Sequence, residues 1–513
     1  MRRNLFMIIT ICIFLILNFT SFCLNNRDIN KIVIIDKSYS FAELEKQFRD
    51  GNALSKNTKY VIKNKYDLEG RTLVIGQHCA LEFDGGCFIN GEVNCNGSLI
   101  LNSIFQTGLL YNYIIPNKKY ISIEWFKYKG NSYTDAIVNA VKQAHIYKKP
   151  VYLPKGEYDI LGVDITYDDI EIYGDGPQKT IIKNPTWGMW NFRSSSDNLT
   201  IHDIGCSAIA VNYNTVHEVE NEEHDNAASF ILYKGNHGHF YNIYGQEIQC
   251  IIWLGGDYIR TFKYGNLVHD IEANNTSFAV LAAYQDNMEV YNITGNAKQM
   301  IGIASGGERK RVGPPAHLMY LTGRNNYNSV IHHITTLKNY HDNSGAVWGC
   351  SFKGIHNCYI HDIVVHDGGV VFEEMGDNNH VKNLTIYGAG SYIDGYNLLI
   401  HDPIPRINNK ISFENIKIIN GLIYCTSVSV SFNKLVIDNR NFQNEIKSDY
   451  MAKFVTTRSC KVFLNNVNMI NSTSNNGMNG LYVAGNVSGE GKNIRAKNVE
   501  KPYFVGDSFV LNP

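Results

Sequence analysis

An all-β solenoid, built from short strands stacked coil upon coil, is the fold class this sequence predicts. Three observations carry it. A degenerate four-residue unit, apolar–x–[Asn/Asp]–[Ile/Leu/Val], recurs beyond Lys183. Short apolar runs broken by Gly or Asn fill the stretch from Tyr66 to Ser103. The composition sets 43 Gly and 32 Tyr against 11 Pro and only 19% charged residues, which suits strands, tight turns and aromatic-lined surfaces better than a helical bundle.

The first 23 residues read as a secretory signal: Arg2 and Arg3, an apolar run from Leu5 to Leu17, then Ser21-Phe22-Cys23 at the cleavage site. The run is shorter than the roughly 20 residues of a membrane span. A secreted or periplasmic protein, not integral to a membrane, is expected. Lipid anchoring at Cys23 is the alternative, to which Phe22 is a poor fit. The nine cysteines other than Cys12 and Cys23 include no C-x-x-C pair and no zinc-type spacing. Cys206, Cys250, Cys350 and Cys425 lie in strand-like runs, which predicts buried thiols rather than disulfides. A formal charge of −1, from 47 basic and 48 acidic residues, favours neither nucleic acid nor a membrane surface. A monomer is expected.

Residues 24–122 read as a strand-rich amino-terminal region that stacks on a solenoid of residues 123–513. It has a short helix at Phe41–Phe48 and strand runs at Leu73-Val74-Ile75, Leu81-Glu82-Phe83, Phe88-Ile89 and Leu99-Ile100-Leu101. The solenoid opens with a helix whose Ala136, Ile137, Ala140, Val141 and Ala144 share one face. Thr134 can cap it, or Ser132 with Asp135 can form a capping box. Strands follow at Pro150–Leu153 and around Tyr158–Val163, then an alternation through Ile165, Ile170 and Ile172. A turn at Gly174-Asp175-Gly176 leads into Thr180-Ile181-Ile182. One helix followed by regularly spaced strands predicts a lid on the end of a stack.

The segments Thr134–Ala144, Val151–Tyr158 (VYLPKGEY) and Gly174–Ile182 resemble the recurring opening of the pectate-lyase-like β-helix proteins, secreted bacterial polysaccharide lyases and proteins related to glycoside hydrolase family 28. The likeness is specific from Ser132 to Lys183 and looser over the repeats beyond. It implies a single-stranded right-handed parallel β-helix with an amino-terminal capping helix. Lyases, hydrolases and non-catalytic binding proteins share that scaffold, so the reaction must be read from the site.

The repeat itself runs through Ile201-His202-Asp203-Ile204, Phe240-Tyr241-Asn242-Ile243, Val268-His269-Asp270-Ile271, Val290-Tyr291-Asn292-Ile293, Ile360-His361-Asp362-Ile363, Val381-Lys382-Asn383-Leu384, Phe413-Glu414-Asn415-Ile416 and Leu464-Asn465-Asn466-Val467. Ile331-His332-His333-Ile334 departs only at His333. The shortest intervals, 22 residues to Ile293 and 21 to Leu384, are one coil each. Interior Ile is expected to stack on Ile while Asn bonds adjacent backbone, and the repeat histidines are read as structural. The 39 residues from Ile204 to Ile243 and the 41 from Ile293 to Ile334 are either two coils or one coil with a loop. They hold His217–Asn226 and Gly306–Pro315, candidate walls of a groove.

The chemistry gathers between Gly306 and Glu374. Arg309, Lys310 and Arg311 form a basic tip, with His317, Tyr320 and Arg324 after it; Trp348, Lys353, Glu373 and Glu374 follow. Lys353 and Glu374 each stand ten residues before a repeat Ile or Leu, which predicts neighbouring rungs, with Tyr320 in the same column. Cleaving a uronic-acid polymer by β-elimination needs a cation for the carboxylate, a base and an acid. Arg309, Lys310, Arg311 or Arg324 can hold the carboxylate, Lys353 or His317 can be the base, and Tyr320 the acid. Trp348 can stack on a sugar. A hydrolase needs two flanking carboxyls. Glu373 and Glu374, adjacent on a strand, would point to opposite faces, so one would need Asp257, Asp286 or Asp377. The acidic run Glu218–Asp225 offers carboxylates for Ca²⁺, an ion many β-helix lyases use, but shows no ligand spacing; the metal is left unknown. The expected activity is a lyase on an acidic polysaccharide, pectin-type or glycosaminoglycan. A hydrolase and a non-catalytic carbohydrate-binding solenoid are the alternatives.

Overall fold

The computed structural model describes residues 31–50, 53–54, 58–76, 79–84, 86–94, 99–101, 119–127, 132–184, 190–208, 229–255, 261–298, 301–303, 309–311, 316–323, 325–337, 348–388, 396–402, 410–440, 450–471 and 478–512. The expected signal segment lies outside them. The chain divides into two compact units, Met1–Lys149 and Pro150–Pro513. Among the described residues no helix is long and apolar enough to cross a membrane.

In the first unit, Lys31–Ile35, Thr58–Ile62, Ala80–Phe83 and Leu99–Leu101 line up as a four-stranded parallel sheet. Two shorter parallel pairs, Lys65–Asp67 with Cys87–Ile89 and Thr72–Val74 with Glu92–Asn94, complete the coils. Helix α1 (Phe41–Phe48) buries Phe41, Leu44 and Phe48, at helical spacings of three and four. The Phe48 ring packs on Tyr60, centroids 4.4 Å apart. Helix α2 (Tyr133–Tyr147) buries the five residues its periodicity marks. Its amino end is the Ser132/Asp135 capping box: the Ser132 hydroxyl accepts from the Asp135 amide at 3.0 Å, and the Asp135 carboxylate accepts from the Ser132 amide at 3.1 Å. Such a cap contributes about 1 kcal/mol.

The second unit is a parallel β-helix. Strands pair in parallel with those one coil on, so every repeat position becomes a column. Ile204, Ile243, Ile271, Ile293, Ile334, Ile363, Leu384, Ile416, Leu435, Val467 and Ile494 share one interior register. None is more than 2% exposed, and each such side chain contributes roughly 2–3 kcal/mol by leaving water. The described cysteines are buried in the same way, and Cys206, Cys250, Cys350 and Cys425 are thiols, as their strand-like runs predict.

The register decides several points. Ile204 pairs directly with Ile243 and Ile293 with Ile334, so each long interval is one coil rather than two. Two rungs escaped the repeat: Phe432–Leu435, where Lys434 takes the Asx position at φ 61°, and Gly491–Ile494, where Gly takes the apolar position. The strand expected around Tyr158–Val163 is two strands, Gly156–Asp159 and Val163–Ile165; Gly162, at φ 67°, turns the corner between them. The Asx residues also do something other than expected. They sit in the left-handed region, near φ 55° at Asp203, Asn242, Asp270, Asn292, Asp362, Asn383 and Asn415. There they bond each other along the column rather than the backbone: Asn242 donates to Asp203, Asn292 to Asp270 (2.9 Å), Asn383 to Asp362 (2.8 Å) and Asn415 to Asn383 (2.7 Å).

One residue earlier in each rung, on the outer face, the repeat histidines join tyrosines in a ring ladder. Tyr173, His202, Tyr241, His269, Tyr291, His332 and His361 stack nearly parallel, with centroids 4.4 to 5.5 Å apart.

Candidate active site

Four neighbouring strands carry the chemistry: His317–Thr322, Trp348–Lys353, Val370–Glu373 and Leu398–His401. Their register sets Lys353 opposite Glu373, not Glu374 as the residue count suggests. The corner after Glu373 holds one residue more than the corner after Lys353, so Tyr359 pairs with His380 and the count slips by one. Tyr320 pairs with Ser351, two residues before Lys353 and on its face, so it stands beside the lysine column rather than in it.

Glu374 also escapes the expected divergence of adjacent strand residues. The strand ends at Glu373, and Glu374 turns into the left-handed region at φ 48°. Both carboxylates thereby reach one ammonium: Lys353 Nζ lies 3.1 Å from Glu374 Oε1 and 3.7 Å from Glu373 Oε2. The Glu374 side chain is 7% exposed, against 33% for Glu373 and 29% for Lys353. Burial pulls the Lys353 ammonium down. The hydrogen bond and charge of Glu374, with Glu373 and Tyr320, outweigh it and hold the group above the ordinary lysine range. Lys353 is therefore a committed cation, and a poor proton acceptor.

The backbone at this corner is pinned from inside. The fully buried Asn326 donates through Nδ2 to the carbonyls of Thr322 and Lys353, both at 3.0 Å, while its Oδ1 accepts from the Gln285 amide. Two coils on, the buried Asn379 donates to the carbonyls of Ile355, in the preceding coil, and Gly376, in its own, both at 2.9 Å. A buried amide satisfied on both ends fixes a turn that carries a catalytic candidate.

Next to the corner the outer face is aromatic. His317 lays its ring on Tyr320, centroids 4.6 Å apart, and Phe278 of the preceding coil stacks against both. His317 is 4% exposed and registers with Trp348, itself buried against Val371 and Leu399. The Tyr320 column continues through Ser351, Val371, Leu399, Tyr424, Lys453, Tyr482 and Phe504.

Two residues went unnoticed in the sequence. His401 follows Glu373 in the lysine column, and Asp402, 2% exposed, follows Glu374 at the corner. The parallel dipeptides Glu373-Glu374 and His401-Asp402 were the available signal. The segment 403–409 between Asp402 and the next repeat obscures it. Among the partners considered for a carboxyl pair, Asp286 is engaged in a side ladder, accepting from Asn328 at 2.8 Å, and Asp257 lies outside the described residues. So do Arg324 and the acidic run 218–225. Arg309–Arg311 is a strand rather than a loop tip, antiparallel to Ile301–Ile303.

No family model and no curated protein matches the chain. Among solved structures it is similar to the Agl-KA catalytic domain, at 16% identity and TM-score 0.46 over 79% of this chain and 70% of that one. It is likewise similar to a GH87 α-1,3-glucanase catalytic domain in complex with nigerose, at 15% identity and TM-score 0.44 over the same shares. A third is the A-module of a mannuronan C-5 epimerase from Azotobacter vinelandii, at 12% identity and TM-score 0.41, over 76% of this chain and 97% of that one. Likenesses this distant carry no argument about the chemistry of this chain.

Proposed function

We propose that the chain is an exported enzyme that cleaves a polysaccharide at the Lys353–Glu373–Glu374 corner, by hydrolysis of a glycosidic bond. The observation that carries the reading is the convergence of two carboxylates, one buried and one a third exposed, on a single protonated lysine. Two carboxyls that share an ammonium are close enough to flank one glycosidic bond, for which roughly 5–10 Å is needed. Their unequal exposure separates the roles: the more open Glu373 works on the sugar or its water, and the buried Glu374, ionised while Lys353 holds it, takes the proton-donor role only when bound substrate draws the ammonium away. The trio bears a formal charge of −1, which disfavours a strongly anionic polymer at this point. Tyr320 beside the corner, and Tyr424, Tyr482 and Phe504 on more distant coils of the same column, offer aromatic surface to a chain of sugars along that face.

β-Elimination on a uronic-acid polymer is the second reading, favoured by the protonated state of Lys353. There Lys353 is the cation that neutralises the substrate carboxylate, Tyr320 or His317 moves the proton, and Arg309, Lys310, Arg311 and Arg324 bind further uronates. One assay separates the two. The chain is incubated with neutral and acidic polysaccharides, with and without EDTA, and both absorbance near 235 nm and new reducing ends are followed. Reducing ends without absorbance support hydrolysis. Absorbance supports elimination, and its loss in EDTA would add calcium. Neither signal on a broad panel leaves a carbohydrate-binding solenoid.

A further inference from the structure

The Asx column has two exceptions, Lys434 and His333, and the second sets a histidine beside a ladder histidine. Wherever a ladder histidine precedes a corner carboxylate, its Nδ1 faces that carboxylate: His202 to Asp203 at 2.6 Å, His269 to Asp270 at 2.7 Å, His361 to Asp362 at 2.7 Å. At the rung of His332 the corner residue is His333, held at φ 52° in the same left-handed turn. Two imidazoles now meet where the His202, His269 and His361 rungs have an imidazole and a carboxylate, with Nδ1 to Nδ1 at 2.6 Å. One coil on, His361 stacks on His332, centroids 4.7 Å apart and rings 2° from parallel. The Asp362 carboxylate, bonded to His361, lies 3.9 Å from His333 Nε2.

We propose that His332, His333 and His361 form a binding site for a divalent transition-metal ion of the zinc class, with Asp362 orienting the histidines or completing the set. The three residues each offer a ligand nitrogen, and these atoms lie within 4.8 Å of one another. A tetrahedral ion with bonds of about 2.0–2.1 Å draws such atoms to roughly 3.4 Å. The His332–His333 pair, at 2.6 Å, must open to that spacing and the longer separations must close to it; His333, whose side chain is 56% exposed, is the ring freest to move. Imidazole nitrogens select zinc, nickel or copper over calcium and magnesium, which take oxygen. A carboxylate on the far nitrogen of a ligating histidine is the usual outer partner. The ion would tie consecutive coils together at a corner that lacks the Asn-to-Asp hydrogen bond of its sisters.

Zinc chloride is titrated calorimetrically into the untagged, EDTA-treated chain, and into His333→Asn, His361→Gln and His239→Gln. Asn is what the column carries elsewhere, so His333→Asn retains the fold, as far-UV circular dichroism will verify. His239 and His269 make another imidazole contact, at 2.9 Å, and serve as the control. One site is expected in the parent, unaffected by excess Ca²⁺ or Mg²⁺. It should weaken at least about tenfold in His333→Asn and His361→Gln, persist in His239→Gln, and raise the melting temperature of the parent but not of His333→Asn. Absence of zinc binding by the parent, equal binding by His333→Asn, or loss of the site in His239→Gln would each overturn the assignment.

Discussion

Replacing Lys353 by methionine keeps most of the apolar stem and removes the cation that two carboxylates share. The loss can be worked from the geometry. The contact with Glu374, at 3.1 Å and with a carboxylate only 7% exposed, is a charge-assisted hydrogen bond worth about 1.5–3 kcal/mol. The contact with Glu373, at 3.7 Å and a third exposed, adds about 1 kcal/mol or less after solvent screening. Lys353→Met should therefore cost about 2–4 kcal/mol in urea unfolding at neutral pH, most of it from stranding the Glu374 charge. One further measurement isolates the cause. Adding Glu374→Gln to Lys353→Met should recover about 2 kcal/mol by removing the stranded charge. A Lys353→Met chain within about 0.5 kcal/mol of the parent, or one that Glu374→Gln fails to rescue, would refute the view that this ion pair is tight and buried.

Other outcomes follow from the columns. Burial, then His269 and His202, hold the His239 imidazole below its ordinary range. The unfolded chain then binds the proton more readily, so this contribution is intact above about pH 6.5 and is lost as the pH falls toward the lower folded value. Melting temperature should drop over that window, and His239→Gln should flatten the slope; an unchanged slope counts against it. Asn326→Leu leaves the Thr322 and Lys353 carbonyls without their donor. It should cost about 1–3 kcal/mol and lower turnover more than Asn379→Leu does; equal turnover would show that Asn326 does not position the corner. A Cβ on Gly295, at φ 157°, would stand 1.9 Å from the Ala273 carbonyl oxygen. Gly295→Ala should therefore destabilise by about 1–3 kcal/mol, and a neutral result in thermal melts would show that the coils there are more loosely stacked.

The fold was legible because a solenoid writes its period into the chain. Each interior Ile and each left-handed Asx recurs for a local steric reason, and α1, α2 and the capping box follow equally local rules. Where sequence reading slipped, the cause was a residue that met the geometric need without matching the pattern, as Lys434 does in its corner and Gly491 in its strand. The site was half legible. Lys353, Tyr320, Glu373 and Glu374 could be found by residue type and spacing. Which glutamate faces Lys353 could not, since one extra residue in a corner shifts the register. The left-handed turn that brings Glu374 round to the lysine is equally invisible to strand parity. His401 and Asp402 were hidden because their distance to the next repeat is set by the segment after them rather than by the coil.

The most direct test of the account is cleavage by the parent, Glu374→Gln, Glu373→Gln and Lys382→Gln on whichever polysaccharide the parent degrades. Lys382 lies on the other long face, 3.7 Å from Glu414, outside the proposed corner. Loss of about 10²-fold or more in kcat for both glutamate variants, with folding and Lys382→Gln activity retained, is the predicted result. Full activity in Glu373→Gln and Glu374→Gln would contradict the assignment and move catalysis away from this corner.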